Sequence, residues 1–241
     1  MSPTYQDKHT EYTSRFKQCA LSISAIFEKN GFKVIPFKRD DLPIFSSLSS
    51  KKQAEAIHYI ELYYSILQQS EIKKSSEKNN NADSLWEALV YLQWHQPSDF
   101  FSYLRPDDKI EIYNTQSIQI WRNFNVMKIC SYSIEEMHCY TWPERYSRSE
   151  EDTDKIMSTI QKVLSHKERK VFREAIANHT VIERFSEKQF ILEASHEYFC
   201  PLVDRQGLVS GFIVTSKVDV VGSNLNKKSA RSKSHLHEVS I

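Results

Sequence analysis

The segment FILEASHEYFCPLVDRQGLVSGFIV, residues 190–214, decides how this chain folds. Two runs rich in aromatic and branched apolar residues flank a polar Asp-Arg-Gln-Gly step, the pattern of two strands joined by a tight turn. Only four glycines occur in 241 residues, and two of them fall here. Gly207 can take the positive φ that closes the turn. Gly211 lies inside the second run, where a glycine marks a bulge or a close approach to the backbone.

Working outward, residues 170–185, 189–203 and 208–220 read as three strands. Before them, SEEDTDKIMSTIQKVLSHK (149–167) reads as a helix. Acidic residues crowd its first turn, Lys and His close it, and Ile156, Ile160, Val163 and Leu164 form one stripe. Ser133 and Glu136 have capping-box spacing and start a short helix. Earlier still, KIEIYN (109–114) and SIQIWRN (117–123) alternate and form a hairpin, with Ile118, Ile120 and Arg122 on one face and Gln119 and Trp121 on the other.

The first 95 residues are helical in pattern. Tyr12, Phe16, Cys19, Ala20, Ile23, Ile26 and Phe27 line one face of a helix over 9–29, which Asn30-Gly31 stops. The connector at 32–50 is irregular. A second helix over 50–70 carries Ala54, Ile57, Glu61, Tyr64 and Leu67 in register, with a surface-type His58 beside them. Residues 73–84 are polar and low in complexity. A third helix over 84–95 is expected to start at Ser84 with Glu87 completing a capping box, and is apolar around most of its circumference.

Thirty-two Lys and Arg against 31 Asp and Glu leave a net charge of +1, which gives no electrostatic footprint for nucleic acid or a membrane surface. Apolar residues at 40% suffice for a core. The four cysteines form no C-x-x-C pair, so no metal site or disulfide framework is expected. With no signal-type leader and no membrane-length apolar run, the expectation is a soluble, cytoplasmic protein. Residues 221–241, basic and serine-rich, read as a disordered tail.

The order from residue 109 resembles a PAS domain. IQIWRNFNVMKICSYSIEEM resembles the PAS stretch in which a strand ends on Asn (Asn123), a short apolar helix follows, and an aromatic (Tyr132) precedes a Ser-x-Glu-Glu helix start. Ser131 stands where such domains often carry Gly. At the other end, residues 190–214 resemble the PAS ending, a long strand, an Asp-x-x-Gly turn and a strand with its own glycine. TWPERYSRSEEDTDKIMSTIQKVL, with Pro-x-Arg before the long helix, is similar to the MEKHLA subgroup. The resemblance covers about 100–220 and implies an α+β fold: a five-stranded antiparallel sheet with short helices on one face, preceded by the helical region 1–95.

The resemblance further implies a sensory or regulatory signalling module that binds a small ligand or a protein partner, without catalysis of its own. Ligand-pocket candidates are Trp121, Phe124, Ile129, Tyr132, Trp142, Ile156, Ile160, Phe190 and Phe212, residues that a filled core would equally contain. His138 is the conceivable haem ligand, with His166 at the end of the long helix; a lone histidine is a poor signal. Flavin is disfavoured, since no Asn-Cys-Arg-Phe string exists and Cys130 and Cys139 read as small buried hydrophobes. His179 and His196 read as cross-strand or surface groups. Two alternatives stay open: a small-molecule pocket enzyme on an NTF2-like cone, and a structural dimerisation module using the helices at 9–29 and 50–70. No zinc, hydrolase or phosphate-loop motif occurs.

Overall fold

A computed structural model describes residues 5–73, 81–165, 170–173 and 176–224. His166 and residues 225–241 of the expected tail lie outside them. The chain is α+β, built on a curled antiparallel sheet. Its strands are β1 (Lys109–Asn114), β2 (Gln119–Arg122), β3 (Tyr146–Ser147), β4 (Ile176–Glu183), β5 (Phe190–Val203) and β6 (Val209–Ser223), in the order β2-β1-β6-β5-β4-β3. The expected five strands are therefore six. The extra one is the two-residue β3, too short to show alternation, which pairs Tyr146 with Glu183 and Ser147 with Ile182.

The opening segment forms the longest pairing, from Phe190↔Ser223 to Val203↔Val209. Asp204 organises its turn: Oδ1 accepts from the Gln206 and Leu208 amides, each at 2.9 Å. Gly207 has φ +82° and donates to the Asp204 carbonyl at 3.0 Å. Gly211 faces a different constraint. A Cβ there would lie 2.3 Å from the Tyr113 carbonyl oxygen and 2.7 Å from Trp94 Cζ3. The group that approaches the final strand is thus an indole from the N-terminal region. β6 also runs to Ser223, three residues into the segment read as tail.

The helices are α1 (Tyr5–Lys29), α2 (Pro43–Ser47), α3 (Ser50–Lys73), α4 (Asn81–Leu92), α5 (Phe124–Met127), α6 (Ile134–Cys139), α7 (Trp142–Arg145) and α8 (Glu150–Ser165). They cover both faces of the sheet, where one was expected. Alternation explains it: Ile110 and Ile112 of β1, Cys200 and Leu202 of β5 and Ile213 of β6 share one core with Phe16, Ile23, Phe27, Ile60, Leu85 and Leu89. The opposite parity, Tyr113, Phe199, Phe212 and Val214, meets Ile156, Ile160 and Val163 of α8. The central strands are apolar on both sides, so both sides must be covered.

Local readings shift in detail. The stripe of α1 is buried as expected, but α3 turns Gln53, Ile57, Ile60, Tyr63, Ile66 and Leu67 inward and leaves Ala54 exposed. α4 starts three residues before Ser84, which is buried within the helix, so the proposed cap does not form. Of its apolar residues only Leu85, Ala88 and Leu89 are fully buried; Trp86 and Val90 are 54% and 52% exposed. The α6 capping box is present, with Ser133 and Glu136 bonded reciprocally. Among the described residues no helix is long and apolar enough to cross a membrane.

Candidate functional site

On the face of the sheet covered by α8, two adjoining cavities of about 60 Å³ each share the walls Glu111, Tyr146, Arg148 and His196. One is further lined by Tyr113, Trp142, Ile156, Ile160 and Phe212. The other is further lined by Lys109, Val126, Ile129, Leu192 and Val218. Strand parity puts Glu111 and Tyr113 here, because both are one residue out of step with the isoleucines that face α1 and α3. α8 contributes Ile156 and Ile160, one turn apart on its buried stripe.

The polar groups form an ordered relay. Arg145 Nη2 donates to Gln119 Oε1 at 2.9 Å, and the Gln119 amide donates to Glu111 Oε1. The Pro-x-Arg arginine of the sequence is therefore a buried partner of the β2–β1 edge. Arg148, three residues on, makes no hydrogen bond and no ion pair with any described residue. It stacks instead, its guanidinium carbon 4.6 Å from the Trp142 ring centre and 5.9 Å from that of Tyr146. Burial lowers its pKa from the usual arginine value. His196 Nδ1 is 2.7 Å from Ser216 Oγ, and its Nε2 is buried without a partner. Burial, with Arg148 and His179 nearby, lowers His196 to about 3, so it is neutral at physiological pH.

The sequence-derived pocket residues divide. Trp142, Ile156, Ile160 and Phe212 line the first cavity and Ile129 the second. Phe190 packs beside the second cavity, against the cluster of Val181, Leu192, Ala194 and Val218. Trp121, Phe124 and Tyr132 do not reach it. Trp121 lies in the core shared with the N-terminal helices, and Phe124 stacks on Phe32 and meets Phe27 edge-on. Tyr132 donates its hydroxyl to the Arg145 carbonyl and accepts from the Arg184 amide. Their short loop and helices turn toward α1, which a reading of 100–220 in isolation could not foresee.

His138 also leaves the cavity. It packs 5.7 Å from the Tyr63 ring and lines a separate groove of about 110 Å³ between α3 and the α6–α7 segment. That groove is far below the several hundred Å³ of a site for a large cofactor. Burial pushes its pKa well below that of a free imidazole. Cys130 is pushed up to about 11, again by burial, and stays a thiol. Among the described residues no group of three or more His, Cys, Asp or Glu could hold a metal ion.

Arg148 and Glu111 were not singled out from the sequence, and His196 was read only as a cross-strand or surface group. Its contact with Ser216 is indeed cross-strand; its position in the cavity wall follows from the bulge between His196 and Tyr198, which shifts the register. No signal in the sequence marks Arg148, since its lack of a partner is a property of three-dimensional surroundings. No protein-family model matches the chain, and no curated protein matches it.

Proposed function

We propose that this chain is a PAS-like regulatory module that holds a small ligand in the paired cavity and passes its occupancy to a protein partner. The observation that carries the reading is the aromatic-lined cavity, set between α8 and strands whose other face carries the N-terminal helices. β1 and β6 are common to both cores, so a change in packing at Tyr113 or Phe212 is felt one residue away, at Ile112 or Ile213. The order of a β-hairpin, short helices, a long helix and three antiparallel strands supports the PAS-like assignment. So do the Asp204–Gly207 turn and the Ser133 cap. The reading requires no catalysis, and His196 is bonded to a serine with no carboxylate in hydrogen-bond contact.

Native mass spectrometry of the purified protein, beside a denatured sample, tests this. The expected result is a retained small molecule that is lost on unfolding, with thermal stabilisation when the extracted compound is added back. A protein that carries no extra mass, and whose melting shifts with no member of a small-molecule library, would overturn it.

A further inference from the structure

We infer that the ligand of the paired cavity is a small carboxylate with an apolar or aromatic body, its anionic end held by Arg148 and His196. This inference rests on the ligand-binding reading above and adds the chemical class.

Charge accounting leads to it. Glu111 is the acidic group in the cavity wall, and the Arg145–Gln119 relay already serves it. Arg148 lines both cavities as a half-buried guanidinium: its Nε is buried without a hydrogen-bond partner among the described residues, and Glu111 and Asp152 act on its charge only through space. A buried donor without an acceptor is costly, and a charged one more so, unless something supplies the acceptor. The Arg148 guanidinium carbon lies 4.6 Å from the Trp142 ring centre and 5.9 Å from that of Tyr146, contacts that use the face of the group and not its hydrogen-bonding edge. An edge-on guanidinium fork is the geometry that a carboxylate fills with two parallel hydrogen bonds. His196 supplies the second contact. In the tautomer in which the Ser216 hydroxyl donates to Nδ1, the neutral ring carries its proton on Nε2, where it can be donated to the same anion. The remaining walls, Ile156, Ile160, Phe212 and Leu192, suit an apolar body. At about 10–15 Å³ per water, each cavity has room for roughly four to six waters, so together they admit a ligand of about ten non-hydrogen atoms.

The test is calorimetric titration of the whole chain with matched pairs: hexanoate and hexanamide, benzoate and benzamide, phenylacetate and phenylacetamide, with phenethylamine as the cation. The expected result is that in at least one pair the acid binds about 10- to 100-fold tighter than its amide, the range for a charge-assisted contact in a partly buried site. In R148M that preference should fall to about 1 while the amide affinity stays within a few-fold, with circular dichroism and melting confirming the fold. Arg148→Lys should retain part of the preference, since it keeps the charge without the fork. Amides that bind as well as acids, or an acid preference that survives in R148M, would overturn the assignment and leave the ligand-binding reading standing. If no member of any pair binds at 10-mM scale, the inference and that reading fall together.

Discussion

Replacing Gly211 by alanine tests whether the last strand is thin because β1 and Trp94 need the room. The added Cβ would sit 2.3 Å from the Tyr113 carbonyl oxygen and 2.7 Å from Trp94 Cζ3. Neither neighbour can give way freely. The oxygen belongs to β1 where it pairs with β6, at Tyr113↔Phe212 and Asn114↔Gly211. Trp94 is anchored by its amide to the Leu89 carbonyl and by the adjacent bridge of His95 to Val203. Overpacking costs about 1–3 kcal/mol where side chains can adjust, and a backbone clash belongs at the top of that range, about 3 kcal/mol. For a chain of this size that lowers the melting temperature by roughly 6–12 °C. Gly222 is the control on the same strand, because its Cβ would meet only Ile191 Cδ1 at 3.8 Å; its alanine variant should stay within about 0.5 kcal/mol of wild type. Urea and thermal unfolding of both variants, side by side, give the comparison. A Gly211→Ala protein as stable as Gly222→Ala would refute the reasoning.

Two further perturbations bear on the same framework. Glu183 is buried and accepts from the Ser131 amide at 3.0 Å, the Ser131 and Ser186 hydroxyls, and the Phe190 amide at 3.1 Å. Glu183→Ala strands those donors and should cost about 3 kcal/mol, read by urea unfolding; a loss below about 1 kcal/mol would show that the α5–α6 loop is not tied down there. For His196, burial lowers the folded pKa to about 3, so the unfolded chain binds the proton first as pH falls. Its contribution is present above about pH 6.5 and is lost as pH drops toward 3, at up to about 1.4 kcal/mol per pH unit. His196→Gln should flatten the stability profile between pH 6.5 and 4, with Arg148 and His179 unchanged beside it; an unaltered slope would refute the assignment.

Several elements were legible because their signal is local. β1 is KIEIYN to the residue, the α6 cap follows from Ser133 and Glu136, and α8 follows from its acidic start and its stripe. Ser131 bonds Glu183 through both amide and hydroxyl, a long-range contact that no local pattern announces. β3 was invisible because two residues cannot show a period. The start of α4 was misplaced because Ser84 has a good capping pattern, yet the helix continues through it to Asn81, whose side chain bonds the Arg105, Pro106 and Asp108 carbonyls. Tertiary contacts outweighed a cap worth about 1 kcal/mol.

The order of the longer strands and helices, the turn at Asp204–Gly207 and a tight spot at Gly211 were determined by the sequence alone, since periodicity and backbone stereochemistry act over a few residues. What occupies that tight spot was decided only in three dimensions, where Trp94 arrives from more than a hundred positions away in the chain. The same is true of the site. Sequence could nominate Trp142, Ile156, Ile160 and Phe212 as apolar residues on the right elements. It could not show that Arg145 hydrogen-bonds Gln119 while Arg148 stacks on Trp142, because a charge finds its partners only through what the fold brings within reach of it.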